Sequence, residues 1–113
     1  MKIITETLTL KMLNQMAAGM FGNLVKSVVD VDRELIAVDA ELHSDLETLL
    51  LEDGSKQKNL WGINLYPDAS GDGFVEFDSM INMRPSEGNR SRSVENEALR
   101  EKILGIVAQR VQR

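Results

Sequence analysis

The sequence predicts a single α+β domain, residues 1–113, with about four mostly antiparallel strands in two hairpins and two long helices and one short helix packed on one face. Three observations predict it. Two pairs of apolar runs, 24–31 with 35–38 and 60–66 with 74–83, are each joined by a polar break. Two segments toward the ends repeat apolar residues at helical spacing. The chain has 113 residues, 42% hydrophobic and 27% charged, which is enough for one core and too short for two.

The first helix is expected over residues 10–20. Thr9 is placed to cap it, Leu8 to pack on Leu13 as a hydrophobic staple, and Gly22 to end it. Leu10, Leu13, Ala17 and Met20 form its apolar stripe. Just before it, Ile3 and Ile4 are suited to a short strand. The run at 24–31 is rich in β-branched residues and pairs with 35–38 as an antiparallel hairpin. Its turn has no Gly or Asn to supply positive φ, which leaves turn type and register open.

Ser44 and Glu47 have the spacing of a capping box, which predicts a short helix over 45–52 with Leu46, Leu49 and Leu50 inward. A strand over 48–51 turning at Asp53-Gly54 is the competing reading. The second hairpin pairs LWGINLY with FVEFDSMINM across the turn-rich PDASGDG. Trp61, Ile63, Leu65, Val75, Phe77, Ile81 and Met83 form its core face, with Ser79 an exception. Residues 84–93 are polar and turn-forming. The last helix follows, with Leu99, Ile103, Ile106, Val107 and Val111 as its stripe.

A formal net charge of −5 argues against nucleic acid and anionic membranes as partners. The absence of Cys removes disulfides, thiolate catalysis and cysteine zinc sites. No metal site and no cofactor is predicted. The opening residues lack the apolar run of a signal peptide or membrane span, so a cytoplasmic location is the default expectation.

Candidate binding residues fall in two groups. Asn64, Tyr66, Glu76, Asp78, Asn82 and Arg84 share the polar side of the second hairpin by their parity, and Asn and Asp are unusual in mid-strand. That pattern is also what the wet side of a half-covered sheet produces. Arg84, Arg90 and Arg92 cluster in a loop that runs into a helix N-terminus, a setting suited to an anion; pairing with Glu87, Glu95 and Glu97 is the plainer reading. His43 opens an H-x-D-x-E string, but helical geometry turns those side chains apart.

The strings ELHSD, LLLEDGS, LWGINLYP, EFDSMINMRPSEGNRSR and REKILGIV resemble a family of small prokaryotic proteins classed as a domain of unknown function. The resemblance spans nearly the whole chain and is most specific over 76–92. It implies a bacterial or archaeal protein and assigns no catalytic residue.

Three functions follow as expectations. The first is a noncatalytic binding module for an anionic small molecule or an acidic partner segment. The second is a small hydrolase or metal-dependent enzyme using Glu76 and Asp78, with His43 and Tyr66 as proton carriers. The third is a homodimer formed through a sheet edge or a spare apolar helix face.

Overall fold

Seven strands and three helices make up the computed structural model, which describes residues 1–112. They run β1 (Lys2–Ile4), β2 (Leu8–Thr9), α1 (Leu10–Gly19), β3 (Val25–Asp30), β4 (Leu35–Val38), α2 (His43–Glu52), β5 (Leu60–Leu65), β6 (Val75–Glu76), α3 (Glu97–Arg110) and β7 (Val111–Gln112). The main sheet has five antiparallel strands in the order β1-β4-β3-β5-β6. It therefore has one strand more than the four expected, because Ile3 and Ile4 pair with Ala37 and Ile36 as an edge strand. A separate parallel pair, β2 with β7, sets Leu8 against Val111 and ties the two ends of the chain together.

Local chemistry places α1. The Thr9 hydroxyl accepts the Met12 N–H at 3.2 Å, and the Gly22 N–H returns to the Ala17 carbonyl with Gly22 at φ +89°. Leu8 and Leu13 are both buried in one cluster, as a staple requires. Met20 lies past the last turn and is exposed, while Met16 packs against the core in its place.

The first hairpin forms over the expected residues, with Val29 opposite Ile36. Its turn manages without Gly: Glu34 takes φ +58°, and the buried Asp30 carboxylate holds the loop. Asp30 Oδ1 accepts the N–H groups of Asp32 and Arg33, both at 2.9 Å, and Oδ2 accepts the Ser55 hydroxyl at 2.6 Å.

Residues 48–51 are helical. α2 starts two residues before the expected boundary, at His43, and its N-cap Leu42 offers no side-chain oxygen, so the capping box does not form. Ser44 lies inside the first turn, where its carbonyl accepts the Thr48 hydroxyl. Leu46 and Leu50 are buried and Leu49 is half-buried.

The helices occupy both faces of the sheet, not one. Consecutive residues of a strand point oppositely. Val29, Ile36, Ile63 and Leu65 pack with Leu13, Ala17, Ile103, Ile106 and Val107 of α1 and α3, whereas Val28, Ala37 and Leu60 pack with Leu46 and Leu50 of α2. β4 is buried at all four positions, as a strand covered on both sides must be.

The second hairpin is shorter than expected. Its outer strand ends at Glu76, and residues Met80–Asn82 form a 3₁₀ turn. Val75 and Phe77 pack toward α1 and α3, the turn sends Ile81 to the α2 side, and Met83 is exposed.

Candidate functional site

The pleat lines up Lys26, Asn64 and Glu76 across three adjacent strands. Asn64 Nδ2 donates to Glu76 Oε1 at 2.8 Å and to the Asp78 carbonyl at 3.2 Å, and the Tyr66 hydroxyl donates to the same Glu76 oxygen at 2.9 Å. Arg92 Nε donates to Asp78 Oδ1 at 2.6 Å. The structure thus brings Asn64, Tyr66, Glu76, Asp78 and Arg92 together, as a network whose members hold one another. Burial and the Glu76 carboxylate push the Tyr66 phenol up, so it stays protonated.

His43 joins this end of the sheet from α2. Its Nε2 lies 2.8 Å from the Ile63 carbonyl, and because a carbonyl only accepts, Nε2 carries the proton of the neutral ring. Burial lowers the pKa from 6.5; the Ile63 bond, Asp78 and Asn64 oppose that shift, and Lys26 adds to it. Below 6.5 the unfolded chain takes up a proton that the folded ring resists, so stability falls as pH drops through that value. Denaturant titrations between pH 8 and 5 should show this loss in the parent and a flatter profile in His43→Gln.

Gly62 admits both Ser79 and His43 over β5. A Cβ at Gly62 would lie 2.5 Å from the Ser79 Cβ and Oγ and 3.2 Å from His43 Cδ2. Gly62→Ala should therefore lower the unfolding free energy by about 1–3 kcal/mol through overpacking. Ser79→Gly should recover part of the loss in a double-mutant cycle. The Ser79 hydroxyl is buried and accepts the Ile81 N–H, so it is not an exposed nucleophile.

Beyond Ser79, side chains do the work of a strand. Asn82 Oδ1 accepts the Gly62 N–H at 2.8 Å, and its Nδ2 donates to the Gly62 carbonyl and the Arg92 carbonyl, both at 2.9 Å. Asn89 Nδ2 donates to the carbonyls of Asn82, Ser91 and Ser93, and its Oδ1 accepts the Glu95 N–H. Arg84 Nε donates to the Ile81 carbonyl, its Nη2 donates to the Leu60 carbonyl, and its guanidinium stacks over Trp61 at 4.3 Å. Arg84 and Asn89 bridge through their backbones, with Gly88 at φ +88° closing the turn between them.

The three arginines therefore go to three places. Arg84 is 6% exposed and turned inward, where burial lowers its pKa against the pull of Glu87 and Glu47. Arg92 pairs with Asp78. Arg90 is exposed, and its N–H donates to Glu95 Oε2. Glu95 is held below the usual carboxylate range by Ser91 first, then by the Arg90 N–H and charge.

The concavity beside this loop has a different chemistry from the one its arginines suggest. A cleft of about 600 Å³ opens between the loop and the start of α3, lined by Trp61, Glu87, Gly88, Glu95, Asn96 and Leu99. Asn96 caps α3 by accepting the Leu99 N–H at 2.9 Å. Asn82 and Arg84 were visible as candidates, but the bracing role of Asn89 and the place of Trp61 were not. The one available signal was a pair of Asn residues flanking the R-P-S-E-G turn.

Among the described residues, no three His, Asp or Glu side chains are grouped to hold a metal ion, and no helix is long and apolar enough to cross a membrane. No curated protein and no solved structure gives a significant match to the chain. One family model does match, over residues 2–110, which includes the braced loop and both core clusters. The chain belongs to the family described as "Protein of unknown function (DUF5674)".

Proposed function

We propose that the protein is a noncatalytic binding module whose ligand lodges in the cleft between the 84–90 loop and the start of α3. The cleft is the observation that carries this reading: about 600 Å³, within the usual range for small-molecule sites. Asn82, Arg84 and Asn89, all buried, hold one of its walls. A simple connection from sheet to helix does not require such bracing, whereas a recognition loop on a rigid scaffold does.

The lining favours a ligand other than the anion that the arginine cluster suggests. Glu87 and Glu95 stand at the cleft, Trp61 and Leu99 give it an apolar wall, and the Arg84 guanidinium is already engaged with two carbonyls. A small molecule with an apolar body and a protonated amine fits those groups. Catalysis is not part of this reading, since Glu76 is held by Asn64 and Tyr66, Asp78 by Arg92, and Ser79 is buried.

An NMR titration with benzylammonium, benzyl alcohol and inorganic phosphate tests it. Benzylammonium should give saturable shifts at the Trp61 indole and over 87–99, with affinity reduced about tenfold in Glu87→Gln plus Glu95→Gln. Equal shifts in both proteins, or shifts with phosphate alone, would overturn the amine reading, and phosphate alone would return the anionic ligand to first place.

A further inference from the structure

The other flank of α3 carries a second surface, independent of the cleft over Trp61. β6 is an edge strand. The Tyr66 N–H donates to the Phe74 carbonyl at 2.9 Å, and Glu76 stands opposite Asn64, so Phe74 and Glu76 aim their backbone groups at β5. By antiparallel alternation Val75 aims its groups outward, and the same alternation carried one residue past the end of β6 sets those of Phe77 likewise. Among the described residues no hydrogen bond to those outward groups is recorded. The opening is short, because at Ser79 the edge is covered again when its N–H donates to the Arg92 carbonyl at 3.0 Å.

This open edge borders a groove with both apolar and charged walls. Two adjoining clefts of about 350 and 270 Å³ share Gly71, Asp72, Val75 and Leu104 and run along α3. Phe77 lies toward one end and Val107 and Val111 toward the other. Leu104 is 43% exposed there. The charges around the groove are unequal. Asp72, Glu97 and Glu101 line it, and among the described residues none of the three forms an ion pair. Among the described residues its one cation, Arg100, is turned aside, with Nε on the Val94 carbonyl, Nη2 on the Ser93 hydroxyl and the guanidinium over Phe77 at 4.7 Å.

We infer that the groove between β6 and α3 docks an extended segment of another protein, which adds as a strand to Val75–Phe77, places an apolar side chain against Leu104 and sets a lysine or arginine against Asp72, Glu97 and Glu101. An edge strand beside a helix provides both parts of this recognition mode. The free backbone groups bind any extended chain, and the groove and its charge select the side chains. A three-residue edge supplies few main-chain bonds, so the apolar and charged contacts decide which segment binds.

The test is selection of a random dodecamer display library on the parent and on Leu104→Glu. Leu104 is exposed, and circular dichroism checks that the variant folds. The parent should enrich peptides with alternating apolar residues and a flanking Lys or Arg, and Leu104→Glu should lose them by about tenfold or more. Glu101→Lys, at another exposed position, should move the enriched charge from basic toward acidic. Hydrogen exchange with a selected peptide bound should slow the Val75 and Phe77 amides. No enrichment that depends on Leu104, or acidic peptides enriched on the parent, would overturn the proposal. So would concentration-dependent broadening at these residues without peptide, which would make the groove a contact between copies of the chain.

Discussion

Asn82→Ala should lower the unfolding free energy by about 3–5 kcal/mol, because it removes three hydrogen bonds, two of them fully buried, and leaves both backbone groups of Gly62 unmet. Gly62 would lose the acceptor for its N–H and a donor for its carbonyl, and the Arg92 carbonyl would lose a donor. The Asn82 side chain is inaccessible, so water does not replace it without opening the loop. Asn82→Asp tests the same point differently. It keeps an acceptor for the Gly62 N–H but sets a carboxylate against two carbonyls, so it should be at least as damaging as Ala. Urea titration measures both. A loss under about 1 kcal/mol for Ala would mean that the edge of β5 does not depend on this side chain. Since Asn89 Nδ2 donates to the Asn82 carbonyl, Asn82→Ala and Asn89→Ala should be nonadditive.

Ile103→Ala should cost about 2–5 kcal/mol. Ile103 is fully buried in the cluster that α1 and α3 form against the sheet, so truncation removes apolar contact and leaves a cavity that close packing fills poorly. Leu104 on the same helix provides the control. It is 43% exposed, and Leu104→Ala should stay within about 0.5 kcal/mol. Guanidinium titrations of the two variants should separate them clearly. Equal small losses would show that Ile103 does not face the core.

The helices and the inner hairpin were legible because their signals are local. Thr9, Gly22 and the stripe of α1 are read within two turns, and the β-branched run of β3 within six residues. The α2 cap failed for a reason outside that segment. His43 is held by Ile63, twenty residues away, which draws the helix start back past Ser44. The turn after Asp30 likewise relies on Ser55, which no local rule connects to it.

The site was less legible than the fold. Alternation correctly set Asn64, Tyr66 and Glu76 on one face, since the pleat alone decides that. Alternation continued past Glu76 also put Asn82 and Arg84 there as surface groups. The chain leaves the strand, and both turn inward as substitutes for a backbone neighbour of β5. The arginines looked like a cluster because they are close in sequence, but each one's partner is set by long-range contacts: Leu60 and Trp61 for Arg84, Asp78 for Arg92.

By itself the sequence determined that the fold is α+β, where α1, β3, β4, β5 and α3 lie, and that the core holds Leu13, Ile63, Ile103 and Val107. Periodicity and capping act within a few residues, so these features need no knowledge of what packs where. The tertiary structure alone decided that α2 covers the opposite face from α1 and α3, that β1 closes the sheet, and that Asn82, Arg84 and Asn89 brace a loop. Those outcomes depend on which buried polar group meets which partner across the fold, and a buried donor or acceptor is satisfied by geometry that a single chain segment does not contain.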